Sequence, residues 1–269
     1  PMELISQGKG NTDLISGYTS SSIGISEQVT LNVGVNAQVL TLNNSWALEP
    51  RAGIKWQFSP KSSFALAYGV HSRMEKMDVY FVKTQGTGDR SVNKDLGFTR
   101  AHHVMLSYGF KISDNMNMKI EPYFQQLYDV PVIADSSYSV LNRRDFYVEN
   151  ALVNRGKGRN IGVDITLERY LNKGLYYMVT ASIFDSKYYG GDRKWRNTLY
   201  NRNFIVNVLG GKEWMVGRDR QNMFSVNFKI TLQGGDRYAP VDEVATLLDP
   251  DREVQYDETK AFSKQFSPM

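Results

Sequence analysis

Histidines, acidic clusters and glycine-rich turns are the places where this chain could do chemistry. Its three histidines are His71, His102 and His103. Imidazole binds metals and carries protons near neutral pH. Adjacent strand residues point to opposite faces, so His102 and His103 cannot hold one ion together. His71 and His103 could share a lumen face, and hydrogen bonding at a rim or lumen is the role expected of them. "DPDRE" sets Asp249, Asp251 and Glu253 at calcium-like intervals. A calcium loop also needs a glycine at its sharp turn and a later bidentate carboxylate. Here Pro250 intervenes and no glycine follows, so a solvated acidic loop is expected. "GGDR" occurs at Gly190–Arg193 and at Gly234–Arg237. It could be a repeated ligand contact, but strand-exit turns with paired glycines at positive φ are the preferred reading. "GKGRNIG" from Gly156 lacks phosphate-loop spacing and leads into a strand. No catalytic, cofactor-binding or metal-binding residue is assigned.

Residues that grip polar ligands collect in the long connections instead. Tyr80, Phe81, Arg143, Arg144, Tyr147, Tyr188, Tyr189, Trp195 and Arg196 are of this kind. Tyr, Trp and Arg dominate binding hot spots, and aromatic rings stack on sugar or chelate rings. The same residues also pack loops against each other. Apart from Phe81, they are the candidate ligand contacts.

The elements that carry these loops read as strands. In "WALEPRAGIKWQFSPKSSFALAYGV", Trp46, Leu48, Pro50, Ala52, Ile54, Trp56 and Phe58 alternate with Glu49, Arg51, Lys55 and Gln57. A strand with this pattern has one apolar and one charged face. The pattern recurs through Val29–Val39, Val104–Ile112, Met118–Phe124, Ile161–Leu167, Leu175–Ile183, Phe204–Val208 and Phe224–Leu232. About nine strands result, with no helical period, and the opening Pro1–Glu27 reads as loop or poorly patterned strand. Short turns near Pro60, at Ser113–Asn117, Leu171–Gly174 and Met215–Asn222 alternate with long connections near Ser72–Thr99, Tyr128–Lys157 and Asp185–Asn201, and from Gly234 onward. "NNS" at Asn43–Ser45 is a short member on the long-loop side.

Mean hydropathy is −0.41, and no apolar run is long enough for a membrane helix. Neither fact weighs against a membrane barrel, whose lumen-facing residues dilute the apolar signal. The strands are longer than the ~5–6 residues usual in globular proteins, and they suit a bilayer crossing. Aromatics make up 12% of the 269 residues. Phe58, Phe64, Phe110, Tyr176, Trp214 and Phe224 flank the short turns, as a headgroup belt would. Tyr170 fits that belt in height but not in parity. A net charge of +4 on 32 basic and 28 acidic residues gives no reason to invoke nucleic acid. The absence of cysteine rules out disulfides and thiolate metal sites.

The stretch Gly158–Trp214, together with "LEPRAGIKWQFSPKSSFALAYGVHS" and "VNFKITLQGGDRYAPVDE", resembles the C-terminal barrel of TonB-dependent receptors of Bacteroidetes type. The resemblance runs over nearly the whole chain from about Gln28. It implies a 22-strand outer-membrane barrel with an N-terminal plug, importing an iron chelate, vitamin or glycan with energy relayed by TonB. Its implied partners are outer-membrane lipid, the TonB complex, the imported solute and a surface lipoprotein, with no nucleic acid and no cofactor. Residues 1–269 carry no plug or TonB box and end at "FSPM" rather than on an aromatic-terminated strand. They are therefore expected to be a partial, all-β, antiparallel up-and-down transmembrane β-barrel. The alternatives are a soluble β-sandwich for glycan binding or adhesion, and an outer-membrane enzyme with its site on the loops. The barrel reading sets Val33, Val35, Ile54, Trp56, Leu66, Leu106, Ile165, Val206 and Phe228 outward, and Asn36, Arg51, Lys55, Glu121, Asp164 and Lys229 on the concave side.

Overall fold

Alternation of apolar and polar residues drives the chain into a sheet that runs through nearly its whole length. The computed structural model describes residues 10–83, 91–143, 148, 150–251 and 253–269. The long strands are β1 (Leu14–Gly24), β2 (Val29–Leu40), β3 (Ser45–Ser59), β4 (Ser62–Arg73), β5 (Thr99–Ser113), β6 (Met116–Val132), β7 (Val153–Asn172), β8 (Leu175–Tyr189), β10 (Phe204–Val216) and β11 (Asn222–Gln233). The short β9 (Trp195–Asn197) pairs with the end of β8. All neighbours are antiparallel and follow sequence order, with β8 beside β10. Among the described residues no strand crosses between facing sheets, so the sandwich alternative is overturned and the up-and-down barrel topology stands.

Two expectations need correction. Among the described residues there are ten long strands rather than about nine, because Leu14–Gly24 is a full strand paired along β2. The β6–β7 connection is also shorter than expected, since β6 runs to Val132 and β7, 20 residues long, begins at Val153. Strands that long extend past the ~10 residues needed to cross a bilayer, so their loop-side ends stand clear of the hydrocarbon.

Exposure follows parity in the sense a membrane wall requires. Trp56 is 50% exposed, whereas Glu49, seven positions earlier on the opposite face, is 3% exposed. Val33, Ile54, Leu66, Leu106 and Phe228 are all exposed on the same side as Trp56. The opposite side is hollow: concavities of about 480, 570 and 490 Å³ are lined by Arg51, by Lys55 and Glu121, and by Asp164 respectively. The fold is therefore that of a transmembrane β-barrel segment, with an apolar convex face and a polar concave one.

The aromatic belt at the short-turn end is present in part. Phe58 lies 6.5 Å from Tyr108, and Trp214 stacks on Phe224 at 5.8 Å. Tyr176 does not belong to it. Its hydroxyl reaches inward to donate to Asn227 Oδ1 at 2.7 Å, across Gly211, which leaves it room. Tyr170 also faces inward and accepts from Asn117 Nδ2 at 3.3 Å. A second outward girdle stands at the loop end, where Tyr68 Oη is 2.8 Å from His102 Nδ1 and His102 stacks on Tyr128 at 5.2 Å.

The loop ends form one packed layer. The segment between β4 and β5, with its single helical turn α1 (Met77–Tyr80), folds back on the inner face at Leu40 and Ala47. Val79, Tyr80, Phe81, Val82, Leu96 and Phe98 close that cluster with Val148 and Leu152 from the β6–β7 loop. Asn93 ties the two loops together, donating to the Asn150 carbonyl at 3.0 Å and accepting from Leu152 N at 2.8 Å. The segment after β11 carries α2 (Glu243–Leu248) and a small hairpin of β12 (Arg237–Tyr238) and β13 (Lys264–Gln265). It returns to β11, where Gln233 and Met269 exchange backbone hydrogen bonds of 2.9 and 3.0 Å.

The glycines of both "GGDR" motifs were expected to serve positive-φ turns. Among the described residues, the positive-φ glycines are Gly174 and Gly217. Gly191 instead abuts the Ile133 carbonyl, and Gly234 abuts that of Arg202, so close that a Cβ would collide. These glycines let loops cross each other.

Candidate functional site

Inward parity on β4–β8 assembles a polar wall. His71 of β4 and His103 of β5 lie ring to ring at 6.1 Å, and His103 meets Tyr123 of β6 edge-on at 6.4 Å. The shared face expected of His71 and His103 is therefore present. Among the described residues no cluster of three or more His, Cys, Asp or Glu could hold a metal ion. Beside this row runs a hydrogen-bond chain from β6 to the β8–β10 loop. Asn160 Nδ2 donates to Gln125 Oε1 at 2.7 Å, Ser186 Oγ to Asn160 Oδ1 at 2.6 Å, and Thr198 Oγ1 lies 2.9 Å from Ser186 Oγ. Below it Ser182 Oγ donates to Asp164 Oδ1 at 2.5 Å. His103, Tyr123, Asn160, Asp164 and Tyr200 line one recess of about 490 Å³. Tyr200 hangs over it from the loop layer, half exposed, with its hydroxyl 3.5 Å from the Arg143 carbonyl. Such a recess offers donors, acceptors and ring faces together.

The wall is stiffened around Glu49. Its carboxylate accepts from Asn36 Nδ2 (3.1 Å), Gln38 Nε2 (2.8 Å), Arg51 Nη2 (2.8 Å), and Ser72 N and Oγ (2.7 and 2.5 Å). Buried polar groups gathered in this way are ordered rather than mobile.

The candidate ligand contacts fall into three settings. Tyr80 and Tyr188 are fully buried in the loop layer: Tyr80 Oη accepts from Glu75 N at 3.2 Å, and Tyr188 packs edge-on to Phe262 at 6.0 Å. Arg196 is buried too, paired with Asp192 through bonds of 2.9 and 2.5 Å. That guanidinium holds the Asp192 carboxyl below the usual carboxylate range. Arg143 pairs with Asp78 and lines a cup of about 480 Å³ with Tyr138, Arg237, Tyr256 and Glu258. Tyr189 and Trp195 pack at 5.5 Å on the convex side, away from the recess. Arg144 and Tyr147 lie outside the described residues.

Sequence reasoning missed His103, Tyr123, Asn160 and Tyr200 as neighbours. Each was legible as inward-facing or loop-borne, but their convergence depends on three successive strand registers, His103 to Gln125, Gln125 to Asn160 and Asn160 to Ser186, and on the loop that carries Tyr200. In "DPDRE", Asp249 Oδ1 accepts from Asp251 N at 2.9 Å and from Glu253 N at 3.4 Å, the solvated-loop arrangement expected.

With this geometry in view, comparison with known proteins finds one fold. No protein-family model matches the chain, and no curated protein matches it. Solved structures do. The FrpB iron transporter of Neisseria meningitidis aligns at TM-score 0.63 and 12% identity, covering 96% of this chain and 37% of its own. The outer membrane transporter YddB of Escherichia coli aligns at 0.62 and 12%, covering 96% and 38%. FpvA of P. aeruginosa, in a ferric pyoverdine complex, aligns at 0.63 and 10%, covering 96% and 31%. The chain thus spans roughly a third of the length of these receptors, and it has the fold of the TonB-dependent receptor barrel.

Proposed function

We propose that residues 1–269 form part of the barrel domain of a bacterial outer-membrane importer, a multi-pass wall that takes up a scarce solute. The observation that carries this reading is the inverted wall: exposed apolar residues outside, an ordered polar recess inside, and a packed loop layer above. A soluble protein buries the apolar face that this chain displays. Within the classes expected, an iron chelate fits best. The recess combines hydrogen-bonding groups with Tyr123, Tyr200 and His103 rings suited to stacking on a chelator. Structures of the same fold include a ferric-catecholate import receptor and an iron transporter. Energy arrives from the TonB complex through a plug carried by chain outside residues 1–269. A surface lipoprotein could cap the loop layer, and a Bacteroidetes source fits the sequence wording. The chain's own residues bind and guide; none is assigned a catalytic role.

The test uses the full-length protein in cells and a panel of radiolabelled ferric chelates. Uptake of at least one chelate should saturate and should stop when the proton gradient is collapsed. Tyr200→Ala should raise the half-saturating concentration about tenfold, the loss expected for one aromatic stacking contact. Energy-independent leakage, or uptake indifferent to Tyr200→Ala and His103→Ala alike, would contradict the proposal.

A further inference from the structure

The stretch "RGKGR" at 155–159 is no phosphate loop, yet it places three cations on one face of β7. Arg155, Lys157 and Arg159 are exposed at alternate positions, about 7 Å apart along the strand. The intervening Gly156 and Gly158 are buried under Val132 and Leu141 on the other face. Across the ladder, Lys187 stands opposite Arg159 and Tyr189 opposite Lys157, with Trp195 opposite Tyr189. Arg159 lies over the Trp195 ring at 5.5 Å, and Lys157 over Tyr189 at 5.8 Å. Among the described residues, Arg155, Lys157 and Arg159 make no ion pair, whereas Lys187 has Asp185 at 3.4 Å. Below it, past Asp185 opposite Ile161, the same face becomes apolar, with Ile161 and Ile183 both at least half exposed.

An exposed cation row at the upper border of a lipid-facing apolar surface meets the headgroups of the surrounding leaflet. We propose that Arg155, Lys157, Arg159 and Lys187, flanked by Tyr189 and Trp195, bind the phosphate of a phosphorylated membrane lipid whose acyl chains lie against Ile161 and Ile183. Charge complementarity and continuity with the apolar face select a lipid over a soluble anion. Guanidinium and ammonium groups supply the charge-assisted donors, and the indole and phenol sit at headgroup depth. The inference rests on the barrel reading above.

The experiment holds the full-length protein in nonionic detergent micelles doped with phosphatidic acid or with diacylglycerol of the same chains. Bound lipid is counted by native mass spectrometry. Wild type should retain phosphatidic acid preferentially. Replacing Arg155, Lys157 and Arg159 together by Gln should cut that preference by about fivefold per cation, on the order of 100-fold in all. Lys61→Gln with Lys111→Gln, at the opposite end of the strands, should leave it unchanged. Equal retention of both lipids by wild type, or a preference surviving in the triple variant, would overturn the proposal. Competition by micromolar inorganic phosphate would also overturn it, in favour of a soluble anion. Heat-modifiable gel migration of each variant reports the barrel separately. If wild type fails to migrate as a folded barrel, the underlying reading fails instead.

Discussion

Glu49 belongs to a wall strand, yet five donor atoms from Asn36, Gln38, Arg51 and Ser72 converge on it. A glutamine there turns one acceptor into a donor facing donors. Glu49→Gln should cost about 1–3 kcal/mol, measured by chemical unfolding of the full-length protein in micelles. A second carboxylate, Glu75, lies in the loop layer just beyond β4 and is nearly fully buried. Burial pushes its pKa above the ordinary 4.5, against the lowering effects of Arg73, the Thr99 hydrogen bond and Arg143, while Asp78 adds to the rise. The folded loop therefore binds more protons than the unfolded one between pH 4.5 and the raised value, so its stability falls as pH climbs through that window. Exchange protection at residues 74–83, taken relative to the intrinsic exchange rate at each pH, should fall as pH rises above 4.5, and Glu75→Gln should flatten the dependence. The acidic character of Glu49 and its inward parity were legible in the sequence. The convergence around it was not, because Ser72 lies 23 residues away and reaches it only through the β3–β4 register.

Elements were legible to the extent that their outward residues are apolar. β1 escaped notice because its outward positions, by pairing with β2, are Ile15, Gly17, Thr19, Ser21 and Ile23. Small and hydroxylated residues there erase the alternation that betrayed β3. The β7–β8 turn was legible as a short one at Leu171–Gly174, and it closes as a two-residue turn with both central residues at positive φ. Lys173 and Gly174 have φ of 51° and 74°. Gly174 also abuts the Glu213 carbonyl, so Gly174→Ala meets both strain and a clash. It should destabilise the folded barrel by about 1–3 kcal/mol, read from the unfolding midpoint. In the loop layer, Arg196→Met would leave the partly solvated Asp192 carboxylate without its bidentate partner, at a cost of about 1–3 kcal/mol. Limited proteolysis between Gly190 and Asn203 should speed up accordingly, while β8 stays protected.

At the scale of the whole molecule, the ladder ends at β1 and β11, each with one partner and each exposed along nearly its entire length. Unpaired strand edges template aggregation, and in hydrocarbon each unsatisfied backbone group costs several kcal/mol. Residues 1–269 expressed alone without detergent should therefore scatter light as aggregates; a monodisperse, cooperatively melting monomer would show that the apolar faces had found each other. The central claim is that the apolar face touches lipid and the charged face touches water. Residues 1–269 contain no cysteine, so once any cysteine elsewhere in the full-length protein is replaced, single cysteines can be placed without background. The direct measurement puts one at each of Val163, Asp164, Ile165 and Thr166 in the full-length protein in membranes, followed by a water-soluble maleimide. Positions 164 and 166 should label and positions 163 and 165 should not. Equal labelling at all four, or the reverse alternation, would contradict the account.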